Sequence, residues 1–232
     1  MINVALGINP ALWAAYNELG LSLWEQDKLP QAVKAFEQAV VFQPGMVAAL
    51  NNLGAVRNEI GAYKSAVEVL EQATAKAPDN PYYYLNLGNA LRGDQRYSDA
   101  EQAYLKALSV GESTPLALFN LGVLYLDNEM PGKDDVARYR QSMAYLKDYR
   151  TKTNVTPKES KQIDEYIETA TGAIEAEEKR QERAKVRAER DAKRRREKEA
   201  EEAAQANTAE GADAAEAPKD PPADEGKGGT SN

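Results

Sequence analysis

The sequence predicts an all-α fold in which helix pairs stack into a solenoid, followed by an amphipathic capping helix, a long charged helix and a disordered tail. Three observations carry this reading. Residue classes return every 34 positions over roughly the first 150 residues. Within each period, two apolar stretches with i, i+3, i+4 spacing flank a short polar break, such as Gly61-Ala62-Tyr63 or Gln95-Arg96-Tyr97. After Ile174 the apolar stripe stops, while residues that favour helix continue.

The period is clearest around Leu50, Leu53, Gly54, Ala66, Leu70, Ala73 and Pro78. One step towards the N-terminus gives Tyr16, Leu19, Gly20, Ala32, Phe36, Ala39 and Pro44. One step the other way gives Tyr84, Leu87, Gly88, Ala100, Tyr104 and Ala107, and a third gives Leu118, Leu121, Gly122 and Tyr125. Self-similarity at this spacing marks a helical solenoid, because a single pair cannot bury its apolar face alone. Glycine inside a helix costs about 1 kcal/mol relative to alanine, so the recurrent glycine needs a steric reason. The expectation is that it lets the second helix approach, with Ala32, Ala66 and Ala100 as the small partners and Phe36, Leu70 and Tyr104 filling the space beyond. Pro44 and Pro78 stop the second helices.

These residues resemble the tetratricopeptide repeat family. The resemblance implies a right-handed α-α superhelix with a concave groove and a role in binding other proteins. Full repeats are expected at 13–46, 47–80 and 81–114, and an irregular one at 115–152. In the irregular repeat the connector from Asp127 to Asp135 is long, and Pro131-Gly132 makes it a turn. The helix after it carries Val136, Tyr139, Met143, Leu146 and Tyr149 as its apolar face.

Met1 to Leu12 fits the same register, with Ala5 lying 34 before Ala39 and Pro10 lying 34 before Pro44. Residues 1–12 therefore read as the tail of an earlier, truncated repeat, with any signal or lipid anchor upstream. At the other end, Thr156-Pro157-Lys158-Glu159 is a capping box with proline at the first helical position. The helix over 157–176 presents Ile163, Tyr166, Ile167, Ala170 and Ile174, a stripe suited to cap the last repeat. Residues 177–206 read as an extended charged helix, supported by pairs such as Glu175–Lys179, Glu189–Lys193 and Asp191–Arg195. Val186 is its one large apolar residue, so a coiled-coil seam is absent. Residues 207–232 read as a disordered tail.

Composition narrows the function. The chain has 232 residues, 28% of them charged, with a formal net charge of −8. It has no cysteine and no histidine. That removes thiolate metal sites, cysteine nucleophiles and the commonest general base. No glycine-rich phosphate loop or paired-carboxylate cleft is evident, so an enzyme is not expected and no cofactor is implied. No apolar run is long enough to span a membrane.

The groove is the first candidate site. Asn52, Asn86 and Asn120 stand two residues before their glycines, with Asn17, Asn51, Asn58 and Asn89 nearby. In related repeat proteins an asparagine at this place grips the backbone of an extended peptide, since an amide donates and accepts at once. The other reading is that these amides bond the neighbouring repeat or solvate an exposed face. The family's carboxylate-clamp subtype uses lysine and arginine here; Asn17, Leu21, Asn52, Tyr82 and Asn86 stand in their place. Tyr82, Leu85, Phe119, Val123 and Leu126 make the C-terminal end of the groove apolar, either as a pocket or as a surface covered by the capping helix.

The charged helix is the second candidate. Lys179, Arg183, Arg187, Arg190, Arg194 and Lys198 recur at steps of 4, 4, 3, 4 and 4. This basic stripe suits an acidic protein, anionic lipid or RNA; RNA is disfavoured most, since no aromatic residue interleaves it, and it has no apolar face to enter a bilayer. The alternative is a stiff, solvated spacer. The expected function is a non-enzymatic scaffold holding a partner polypeptide in its groove. Rival readings are a cytoplasmic adaptor or assembly chaperone, and an electrostatic binder acting through residues 179–198. The stretch from Tyr125 to Gly132, with Ala137-Arg-Tyr and the charged extension, also resembles repeat lipoproteins of bacterial gliding-motility machineries. That resemblance implies a periplasmic or outer-membrane scaffold.

Overall fold

The computed structural model of the protein describes residues 10–215 apart from 112, 113 and 131, with side chains from 12 to 203. The described residues are all-helical, without strands: α1 (Pro10–Glu25), α2 (Leu29–Phe42), α3 (Val47–Glu59), α4 (Tyr63–Lys76), α5 (Pro81–Gly93), α6 (Tyr97–Val110), α7 (Leu116–Asp127), α8 (Asp135–Lys152) and α9 (Pro157–Ala215). The chain divides into two units, the first ending at Glu178 and the second starting at Lys179.

In the first unit, consecutive helices pack as pairs and the pairs pack in chain order. The tight turn inside each of the first three pairs needs one residue in the left-handed region. That residue is Asp27 (φ 59°), Gly61 (φ 78°) and Gln95 (φ 62°) in turn, 34 apart. The next residue closes each turn, as the backbone N–H groups of Lys28, Ala62 and Arg96 donate to Leu23, Arg57 and Leu91. Asp27 and Gln95 adopt a conformation that favours glycine, so glycine at 61 was the legible member of the set. Between pairs, α2 and α4 end two residues before Pro44 and Pro78.

The recurrent glycine acts differently from the expectation. A Cβ placed on Gly20 would sit 2.5 Å from the ring of Phe36, and those on Gly54 and Gly88 would meet Leu70 and Tyr104. The glycine thus makes the hole that the bulky side chain fills, rather than a seat for the alanine. Phe36, Leu70 and Tyr104 are each fully buried, as are Ala32, Ala66 and Ala100 four residues before them.

The fourth pair repeats this contact in a shifted register. Gly122 faces Leu146, with a Cβ-to-Cγ approach of 2.6 Å. Ser142 takes the alanine position four residues earlier, fully buried, and donates to the Gly122 carbonyl at 2.6 Å. The buried face of α8 is Val136, Arg138, Ser142, Leu146 and Tyr149. Tyr139 and Met143, expected on that face, are half-buried.

Arg138 ties the long connector down. It is 5% exposed, donates from Nη1 to the carbonyls of Tyr125 (2.7 Å) and Leu126 (2.9 Å), and lies over the Tyr139 ring. These carbonyls belong to the last turn of α7, where intrahelical partners run out. Tyr125 donates its hydroxyl to Glu101, and Lys133 sits 5.1 Å above its ring. Burial and this carboxylate hold the Tyr125 phenol well above the ordinary tyrosine range.

At the C-terminal end of the first unit, Ile163 of α9 is fully buried against Leu118, Leu146 and Tyr149. The start of α9 has a reciprocal capping box: Glu159 Oε2 accepts from Thr156 N–H (2.7 Å) and Oγ1–H (2.8 Å), while Glu159 N–H donates to Thr156 Oγ1. The backbone donor lowers the Glu159 carboxyl below its ordinary value.

Two boundaries differ from the sequence reading. The first described helix begins at Pro10 rather than 13, and the earlier-repeat register over residues 1–9 lies outside the described residues. The charged helix runs to Ala215, past the expected end at Ala206. Ala203, Ala204, Ala206 and Ala209 explain this, because alanine is the strongest helix former. The expected tail over 216–232 lies outside the described residues.

Candidate functional site

The first helices α1, α3, α5 and α7 carry the asparagines, and the structure joins six of them in pairs across neighbouring repeats. Asn52 Nδ2 donates to Asn17 Oδ1 at 3.1 Å, Asn86 Nδ2 to Asn51 Oδ1 at 2.8 Å, and Asn120 Nδ2 to Asn89 Oδ1 at 2.8 Å. Asn89 Oδ1 also accepts from Tyr104 O–H at 2.8 Å, so this amide is fixed from its own repeat as well. Burial raises the Tyr104 phenol above its ordinary range, which keeps it a donor throughout the physiological pH range.

The amides are thus first a ladder that sets one repeat against the next, as one of the two sequence readings held. Pairing does not exhaust them. A side-chain amide has two N–H donors and two acceptor lone pairs. Asn51, Asn52, Asn86, Asn89 and Asn120 all remain partly exposed, whereas Asn17 is 7% exposed and closed off. Asn52, Asn86 and Asn120 can still accept through Oδ1, and Asn51 and Asn89 can still donate through Nδ2. Seven residues beyond Asn51, on the same stripe of α3, Asn58 Oδ1 is buried without a hydrogen-bond partner. A buried acceptor left unmade costs about 1–3 kcal/mol, and this oxygen is closed off from the surface. Asn58 was named in the sequence only as a neighbour; its unpaired oxygen became visible only with the packing around it.

The apolar end of the groove resolves unevenly. Phe119 packs on Tyr149 (centroids 5.4 Å apart) and Tyr166 (6.0 Å). It belongs to the packing of α8 and α9 on α7, not to an open pocket. Leu85, Val123 and Leu126 are buried too. Tyr82 differs, at 55% exposed on the first turn of α5, where Asn80 caps the helix by accepting from the Tyr82 N–H. Elsewhere on the first helices, Trp24 Nε1–H donates to Glu59 at 2.6 Å, a further link between repeats.

In the second unit, Lys179, Arg183, Arg187, Arg190, Arg194 and Lys198 are all exposed on α9. The pairs that close there include Arg187–Asp191 at 3.9 Å, Lys193–Glu197 at 3.7 Å and Lys198–Glu202 at 3.5 Å. Among the described residues, no group of acidic residues is placed to hold a metal ion, and no helix is long and apolar enough to cross a membrane.

Stacked helix pairs with a glycine-to-bulky contact and an asparagine ladder define a repeat protein of the interaction-scaffold class. The family model for the tetratricopeptide repeat matches residues 17–81 and 85–141, more than half of the chain. The chain belongs to the tetratricopeptide repeat family. No curated protein matches it. Among solved structures, Pseudomonas aeruginosa pilF is similar at 22% identity and a TM-score of 0.56, over 70% of this chain and 73% of that one. MamA from Desulfovibrio magneticus RS-1 is similar at 23% identity and a TM-score of 0.51, over 63% of this chain and 75% of that one. A Thermobaculum terrenum O-GlcNAc transferase is similar at 22% identity and a TM-score of 0.52, over 59% of this chain but 26% of the transferase. At these identities the likeness is one of fold. The resemblance to gliding-motility lipoproteins gains no support from these comparisons. The residues that carried it are used structurally, since Tyr125 meets Glu101 and Arg138 closes the end of α7.

Proposed function

We propose that the chain is a non-enzymatic scaffold whose first-helix face holds an extended partner polypeptide. The observation that carries this is the amide ladder with unspent capacity: acceptors on Asn52, Asn86 and Asn120, and donors on Asn51 and Asn89. A peptide backbone presents N–H and C=O groups in alternation and is matched to such a set. Tyr82 adds an exposed ring on α5 for a side chain of the partner.

The test uses peptides selected from a random displayed library against the full chain. Tyr82→Ala should weaken a selected peptide by about five- to thirty-fold, the equivalent of a small apolar contact. Raising salt should change the affinity little, because neither amides nor a peptide backbone carry charge. Asn52, Asn86 and Asn120 are poor first choices for this test, since each also joins two repeats. Peptides whose affinity ignores Tyr82→Ala, or falls steeply with salt, would refute the assignment.

A further inference from the structure

We infer that the turns of α9 from Lys179 to Lys198 are a docking stripe for a short acidic polypeptide, a second interaction surface separate in kind from the amide face. At 100° per residue, Lys179, Arg183, Arg187, Arg190, Arg194 and Lys198 stay within an arc of about 100°. At 1.5 Å per residue the stripe is about 28 Å long. Between 179 and 198 there are eleven Lys/Arg against four Asp/Glu.

Every residue in this stretch is exposed, so none of these charges serves burial. Arg187–Asp191 closes at 3.9 Å and Lys193–Glu197 at 3.7 Å. Their side chains are 58–86% exposed, and pairs of this kind restrain a side chain weakly. Four of the six stripe residues are arginine, whose planar fork binds a carboxylate through two parallel hydrogen bonds.

The ends of the stripe choose among anionic partners. Glu175, Glu177 and Glu178 precede it, and Glu197, Glu199, Glu201 and Glu202 close it. A bilayer surface or a long nucleic acid continues past both ends and would face those carboxylates. An acidic segment of about twenty helical residues ends where the stripe ends. The stretch has no aromatic residue for base stacking, and Val186 alone offers no apolar face for a bilayer.

The experiment measures binding of the full chain to a helical peptide of about twenty residues with Glu at every fourth position. Single-stranded RNA and phosphatidylserine vesicles serve as competing anions. Two variants remove equal charge: Arg187→Gln/Arg190→Gln/Arg194→Gln on the stripe, and Lys185→Gln/Arg195→Gln/Arg196→Gln off it. The on-stripe variant should weaken the acidic peptide by about ten-fold or more, and the off-stripe variant by less than about three-fold. Affinity should fall steeply with salt and be indifferent to Tyr82→Ala. Equal losses in the two variants would reduce the stripe to net charge. Tighter binding of RNA or vesicles than of the peptide would assign the surface to another partner class, and no peptide binding at low salt would end the proposal.

Discussion

Gly54→Ala isolates the contact that builds the solenoid. In an exposed helix this change is favourable by about 1 kcal/mol, since alanine outranks glycine in helix propensity. At Gly54 the new Cβ would meet three carbons of Leu70, including Cδ2 at 2.8 Å and Cδ1 at 2.9 Å. Contacts this short require something to move, and Leu70 is fully buried between α3, α4 and the next repeat. Overpacking of this kind costs about 1–3 kcal/mol. The net expectation is a loss of up to about 2 kcal/mol once propensity is set against it. Gly172→Ala is the matched control. That glycine lies in α9 with nothing within 4 Å of where an added methyl would sit, so propensity acts alone. Urea unfolding of the two variants beside the parent is the assay. Adding Leu70→Val to Gly54→Ala should restore part of the loss, because it removes carbon where the clash occurs. If Gly54→Ala proves as stable as Gly172→Ala, the glycine is not the socket for Leu70 and the packing account is wrong.

Three further outcomes follow from named contacts. Arg138→Lys keeps the charge but loses the planar fork that reaches the Tyr125 and Leu126 carbonyls from Nη1 and Asp135 from Nη2, and should cost about 1.5–3 kcal/mol in unfolding experiments; an unchanged midpoint would mean the connector is held elsewhere. Ile163→Ala should destabilise the first unit by about 2–5 kcal/mol, the range for a fully buried large-to-small change, and thermal unfolding should show it. Glu159 has a lowered folded pKa, so its contribution is present above the ordinary glutamate value of about 4.3 and is lost as pH falls through its own lower value. The Thr156 amide proton, followed by NMR, should titrate in that acid window in the parent and not in Glu159→Gln.

The 34-residue spacing exposed the helix pairs because each pair must meet its neighbours through the same few positions. The socket was half legible. The glycine announced a close approach, but whether alanine or the bulky residue entered depended on side-chain geometry that spacing does not carry. The left-handed residues Asp27 and Gln95 left no sign, since only glycine at 61 advertises the turn. Arg138 was illegible because its partners are backbone carbonyls twelve and thirteen residues away, brought near only by the fold. Ser142 could have been found by restarting the register after the long connector and asking which small residue stood four before Leu146. The amide positions were visible and bonding to the neighbouring repeat was one of the two readings, but which asparagine meets which was not, because each bond crosses between repeats.

The most direct test of the amide-face assignment is photo-crosslinking of a library-selected peptide. A crosslinking residue is placed at Tyr82 on a first helix, and separately at Val41, which is 65% exposed on a second helix. Covalent capture from position 82, competed by free peptide, is the expected result, with none from position 41. Capture from 41 with none from 82 would place the partner on the second helices and contradict the assignment.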